Sequence, residues 1–167
     1  MVNETIEKEI KFPKAMSTPM TVFWIGLFGG VFWTIIGYFA YLFSFTELRP
    51  NIILEPWALG DWKRDWLGTA ISIIIIGLFS VGAAFVYYGM LKKLKGIWPG
   101  FIYGIVIFLL VFIVLNPLFP SMDPFLKLDR DTLVTSACLY IVYGVFIGYS
   151  ISYESQNQKV QDKEPVS

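Results

Sequence analysis

At 167 residues, 56% of them hydrophobic and only 16% charged, the chain is too apolar for an ordinary soluble domain, in which about a quarter of residues carry charge. Lys plus Arg equals Asp plus Glu, so no excess charge points to nucleic acid, and the one cysteine, Cys138, excludes an intrachain disulfide. Histidine is absent, which removes the commonest general base and the commonest metal ligand, and the length leaves no room for a second domain.

Residues 1–19 read as a polar tail in which Glu4, Glu7 and Glu9 offset Lys8, Lys11 and Lys14. That balance is not the n-region of a signal peptide, so the tail is expected to be retained. The first apolar run, 20–45, exceeds the ~20 helical residues that cross a bilayer core of ~30 Å. Gly26 and Gly30 form a GxxxG pair on it, with Gly37 one heptad further, a pattern that lets two helices approach closely.

A polar-facing segment follows, from Thr46 to Asp65. Pro50 and Pro56 prevent one continuous helix, and Trp57, Trp62 and Trp66 recur among charges. Tryptophan concentrates at headgroup depth, so the plain reading is an interfacial anchor. The sharper reading is a partner-binding loop built on Glu55, Trp57, Asp61 and Trp62, because aromatic residues beside charges on a stiffened loop resemble a binding hot spot. Asp61 and Asp65 also complement the N-terminal dipole of the next helix.

The second run, 66–91, carries Ser80 and Ala84 as a small-residue face, with Tyr87 and Tyr88 expected at its inner boundary. Lys92, Lys93 and Lys95 follow, with no charged residue between Asp65 and Lys92 or between Lys95 and Asp123. A turn this short makes its flanking runs an antiparallel hairpin, and unopposed lysines hold it on the cytoplasmic side. The third run, 96–115, opens with Trp98 and a second GxxxG, Gly100 and Gly104, and stops or kinks at Asn116-Pro117. Asp129 and Asp131 lead into the fourth run, 132–153, and are read as capping residues rather than catalytic carboxylates. Gly144 and Gly148 form a third GxxxG there, and Tyr140, Tyr143, Tyr149 and Tyr153 are expected to pack between spans. Residues 154–167 read as a disordered polar tail.

Lys8, Lys11, Lys14, the three turn lysines, Lys159 and Lys163 fall on one side of this layout, against Arg49, Lys63, Arg64, Lys127 and Arg130 on the other. The positive-inside rule therefore places both termini in the cytoplasm. The expected fold is all-α: a polytopic four-transmembrane-helix bundle. Trp24 and Trp98 each open a W-x-G-x-x-x-G motif on an odd-numbered run, so the chain is also readable as two tandem helical hairpins.

Four stretches, PNIILEPWALGDWK (50–63), YYGMLKKLKGIWPGFIYG (87–104), NPLFP (116–120) and LYIVYGVFIGYSISYE (139–154), resemble the YqhR family of small conserved membrane proteins of Bacillus-type bacteria. The resemblance runs from about Gly26 to Glu154. It implies an integral protein of the bacterial plasma membrane and transfers no activity, catalytic residue or ligand. No catalytic, cofactor-binding or metal-ligating residue is expected. The outer carboxylates Glu47, Glu55, Asp61, Asp65, Asp123, Asp129 and Asp131 lack metal-ligand spacing, which argues against a membrane enzyme. The functional expectation is a non-enzymatic accessory or envelope-organising component acting through protein–protein contacts. The alternative is a subunit of an oligomeric small-solute transporter or channel, weakened by the lack of ionisable groups inside the apolar runs. The expected partners are the lipid bilayer and an unidentified membrane or envelope protein, with a homo-oligomer left open and no nucleic acid.

Overall fold

The computed structural model describes residues 18–56, 58, 60–91, 94, 96–119, 122–125 and 127–161. The topology lysines Lys92, Lys93 and Lys95 and the loop residue Trp57 lie outside the described residues, as do the ends of both tails. The described chain is all-helical. It forms α1 (Thr18–Leu42), α2 (Trp66–Leu91), α3 (Trp98–Leu109) and α4 (Arg130–Gln161), with short 3-10 turns at Pro50–Leu54, Asp61–Arg64 and Asn116–Leu118. Among the described residues three helices, Thr18–Leu42, Trp66–Leu91 and Arg130–Asn157, are long and apolar enough to cross a membrane, and Trp98–Val114 is a shorter apolar helix.

Local chemistry explains where the helices stop. α1 ends at Leu42, not at Phe45 as hydropathy alone suggests, because Ser44 turns left-handed at φ 62°. Phe45 N–H then reaches back to the Ala40 carbonyl at 2.9 Å and Ser44 N–H to Tyr41 at 3.0 Å, the paired bonds of a Schellman cap. Glycine usually fills that position, because other residues pay about 1 kcal/mol for the left-handed region. Ser44→Gly is therefore expected to raise the melting temperature in detergent by a few degrees, and a fall instead would show that the hydroxyl matters to the turn.

α3 loses α geometry earlier than Asn116-Pro117, widening at Leu110–Val114 into a π turn closed by Leu115 N–H on the Leu110 carbonyl at 3.0 Å. Pro117 lacks the N–H that a continuing helix needs and crowds the preceding turn, so the chain relaxes before reaching it. α4 corrects another expectation. Instead of giving way to a tail at Glu154 it continues to Gln161, with Ile151, Ser152 and Ser155 all buried.

The helices associate through their small residues. A Cβ added at Gly26 would stand 2.8 Å from the Ala84 Cβ and the Val81 Cα, and one at Gly30 would overlap Ser80, so α1 and α2 run antiparallel in close contact. α3 and α4 repeat the arrangement. A Cβ at Gly100 would be 2.7 Å from the Gly144 carbonyl, one at Gly104 would be 2.5 Å from the Tyr140 carbonyl, and one at Gly148 would be 2.6 Å from the Gly100 Cα. The two W-x-G-x-x-x-G motifs thus occupy matching places in two antiparallel pairs.

α4 packs against all three other helices, so it occupies the centre of the bundle. By contrast α2 and α3, neighbours across the lysine turn, do not form the close hairpin that the short turn suggests. They meet through Tyr103, whose hydroxyl donates to the Ala83 carbonyl at 2.6 Å and whose ring lies edge-on to Tyr87 with centroids 5.1 Å apart.

The inner core gathers Val22, Ala84, Tyr87, Tyr103, Tyr143 and Ile147. Tyr87 is 0% exposed, so it belongs to this core rather than to the membrane boundary, with its hydroxyl 3.4 Å from Ser152 Oγ. Ser80 Oγ donates to the Gly26 carbonyl at 2.6 Å and lies 2.6 Å from the Tyr143 hydroxyl, linking α1, α2 and α4. Such bonds satisfy hydroxyls that have no water to turn to. Tyr149 and Tyr153, expected between helices, instead stack on each other at the exposed surface.

Candidate functional site

At the end of the bundle where α1 stops and α2 and α4 start, the two long connections fold into a single cap. Pro50 opens a 3-10 turn, which the Ile52 N–H to Arg49 and Glu55 N–H to Ile52 bonds close at 3.1 Å each. Ala58 N–H bonds the Leu54 carbonyl at 2.8 Å, and Gly60, at φ 104°, redirects the chain into the Asp61–Arg64 turn. That turn backs directly onto the first residues of α2, where a Cβ on Gly68 would overlap the Lys63 backbone.

Asn51 holds these pieces together. It is buried, its Nδ2 donates to the Lys63 carbonyl at 2.7 Å and the Asp65 carbonyl at 3.4 Å, and its Oδ1 accepts the Thr69 hydroxyl at 2.9 Å. One side chain thus ties the first 3-10 turn to the second and to α2. A second tie reaches α4: Glu47 N–H donates to the buried Thr132 Oγ1 at 3.0 Å. The other connection is held by Asn116, which sits at the end of α3 and donates to the Asp123 carbonyl at 3.0 Å.

Beneath these polar ties lies an outer core of Phe108, Phe112, Phe119, Met122 and Leu128, packed against Leu48, Ile52 and Ile53 of the first connection. These apolar residues of the cap therefore face inward, while Glu47, Arg49, Asp65, Asp123 and Lys127 are exposed.

Two open clefts cross this surface. The smaller, about 280 Å³, is lined by Glu47, Arg49, Asn51, Glu55, Lys63 and Asp123, among others. The larger, about 610 Å³, lies between the end of α1 and the first turn of α4, and Glu47 and Arg49 line it too. Both clefts carry more acids than bases. Their bases are also engaged: the Arg49 guanidinium lies 4.6 Å over the Tyr41 ring, and Lys63 Nζ donates to the Ala58 carbonyl at 3.2 Å.

Of the four loop residues singled out in the sequence, Glu55 is half-buried and lines the smaller cleft. Trp62 is 42% exposed and lies against Gly60, outside that lining. Trp57 and the Asp61 side chain are outside what the structure describes. Sequence reasoning passed over Asn51, Thr69 and Thr132. One available signal was Asn51 itself, an amide set between a proline and three apolar residues, which is satisfied in a buried setting only by folding the loop around it.

A bundle of apolar helices joined by glycine faces, with its charges gathered at the ends, defines an α-helical membrane protein. The family model of the conserved membrane protein YqhR matches residues 3–165, well beyond the stretch from Gly26 to Glu154 where the resemblance is visible by eye. The chain is 49% identical over 152 residues to the uncharacterized protein YqhR of Bacillus subtilis (strain 168), an alignment covering 91% of this chain and 84% of that protein. This chain belongs to the YqhR family. No solved structure matches it.

Proposed function

We propose that this protein crosses the plasma membrane four times, with both termini and Lys92, Lys93 and Lys95 in the cytoplasm, and that it acts without catalysing a reaction. In this reading it is an accessory or envelope-organising component whose outer cap binds another protein of the envelope. The observation that carries the reading is the cap. Bilayer anchoring needs a tryptophan or two at headgroup depth. It does not need a connection folded into two turns, pinned by a buried asparagine and stapled to α4. A rigid platform that presents Trp62 and charged clefts fits a surface meant to be recognised.

The fourth crossing is supported by the depth of the cap. Trp98–Val114 rises roughly 25 Å, less than the ~30 Å hydrocarbon core. The apolar layer continues past its end through Phe119, Met122 and Leu128.

The test has two parts. Single cysteines are placed at Pro56 and Lys127, both exposed on the cap, and at Lys93, in a chain lacking Cys138. An impermeant thiol reagent added to intact cells is expected to label Pro56→Cys and Lys127→Cys and to spare Lys93→Cys, and the opposite pattern would overturn the orientation. Crosslinking in the native membrane is then compared between the parent and a Trp57→Ala, Trp62→Ala double variant. Losing a central aromatic anchor typically costs about 2 kcal/mol, roughly thirtyfold in affinity. The double variant is expected to lose crosslinked proteins at unchanged abundance, and an unchanged profile would reduce the cap to an anchor.

A further inference from the structure

We propose that the larger cleft binds the headgroup of a phospholipid carrying a primary ammonium. Three exposed carboxylates, Glu47, Asp129 and Asp131, line it together with one cation, Arg49. Its charge pattern is thus mixed, and an aminophospholipid, with one phosphate and one ammonium, is its complement. Arg49 is held over Tyr41 at 4.6 Å, which places a guanidinium where it offers several N–H donors to phosphate oxygens. Glu47 is held in turn by its backbone bond to Thr132.

Among the described residues no three carboxylates converge closely enough to hold a metal ion. The three carboxylates that line the cleft are acceptors for the N–H bonds of an organic cation. A primary ammonium supplies three such donors. A trimethylated ammonium supplies none and relies on aromatic faces; of the two aromatic residues that line the cleft, Tyr41 is covered by Arg49 and Phe45 belongs to an exposed apolar strip with Leu42 and Phe43.

Position selects a lipid over a free amine. The cleft sits at the end of the 25-residue apolar helix α1, and Leu42, Phe43 and Phe45 beside it are 54%, 70% and 59% exposed, an apolar strip for acyl chains. This inference rests on α1 crossing the membrane as proposed above. It is independent of the protein partner: crosslinks lost without loss of lipid selectivity bear only on the partner, and the reverse only on the lipid.

The test uses the purified full-length chain in mild detergent, with melting followed as phosphatidylethanolamine, phosphatidylcholine, phosphatidylglycerol or soluble phosphoethanolamine is added. Phosphatidylethanolamine is expected to raise the melting temperature by several degrees, well above the other three. Arg49→Gln and Asp131→Asn are expected to weaken that effect about tenfold in lipid concentration while melting like the parent without lipid. Asp123→Asn, on the smaller cleft only, should keep the full effect. Equal stabilisation by phosphatidylcholine or phosphatidylglycerol would overturn the proposal. So would soluble phosphoethanolamine matching the lipid, or the first two variants keeping the parent's selectivity. Should either variant melt early without lipid, the comparison of the four additives on the parent decides alone.

Discussion

Gly144→Leu is expected to destroy the α3–α4 pair, while Gly82→Leu, a change of the same size in α2, leaves melting in detergent near that of the parent. At Gly144 a Cβ would already overlap the Gly104 backbone and lie 2.5 Å from the Gly100 carbonyl oxygen. These atoms are backbone, so no rotamer change relieves the clash, and the two helices have to separate along their crossing. Separation also opens Gly148 against Gly100 and weakens the seat of Tyr103 and Tyr143 in the inner core. Overpacking of a well-fitted interior costs about 1–3 kcal/mol where side chains give way, and here the yielding atoms are main chain. We expect a loss of about 4 kcal/mol or more, in the range that unfolds a marginally stable protein. Size-exclusion profiles and melting curves of the two variants measure it. A Cβ on Gly82 meets nothing within 4 Å, so that substitution controls for hydrophobicity and helix propensity. Equal melting of the two variants would mean that the α3–α4 glycine contact is not part of the stable fold.

Asn51→Ala is expected to loosen the whole cap without dispersing the bundle. The substitution removes the Asn51 amide from the Lys63 carbonyl, while the Asp65 carbonyl keeps the Thr69 N–H at 3.1 Å and the Thr69 hydroxyl keeps its contact with that carbonyl at 3.4 Å. An unpaired buried polar group costs about 1–3 kcal/mol, and with chiefly the Lys63 carbonyl left unpaired a total of about 2 kcal/mol is expected, with water entry limiting it. The loss is local because the tie is local: no helix-to-helix contact passes through Asn51. Hydrogen exchange should therefore quicken over residues 50–69 while the glycine-packed centres of α1 and α4 keep their protection. Asn116→Ala removes one more exposed bond and should cost about 1 kcal/mol or less. If the cap binds a partner, Asn51→Ala should also lose the crosslinks that depend on Trp62, although it leaves every exposed side chain in place. Exchange unchanged over residues 50–69 would show that the cap is held by its apolar underside alone.

The two substitutions differ in how visible their targets are in the sequence. Gly144 sits in a GxxxG pattern that reads directly as a close-packing face. Asn51 follows a proline in a connection where tryptophans and charges draw the eye, and its importance lies in what it bonds to, 12 to 18 residues further on. Tyr87 is a similar case. At the end of an apolar run it looks like a boundary residue, and only the approach of Tyr103 and Ser152 makes it core. Tyr149 and Tyr153 err the other way: both lie on the exposed side of α4, stacked on each other and not on a neighbouring helix.

What the sequence by itself determined is the part that depends on one segment at a time. The second apolar run is the helix Trp66–Leu91 residue for residue, since hydropathy, length and flanking charge are properties of the run. The glycine pairs were legible for the same reason: their spacing alone puts them on one face. Tertiary structure decided which faces meet, and it chose α1 with α2 and α3 with α4 around a central α4, not the pair joined by the short lysine turn. It also decided that α1 stops at a left-handed Ser44 and that the cap closes around Asn51. The physical reason is the reach of the interactions. Burial in an apolar run is settled by the residue and its near neighbours. A hydrogen bond across 18 residues, or a backbone contact across 44, exists only once the chain has been brought back on itself.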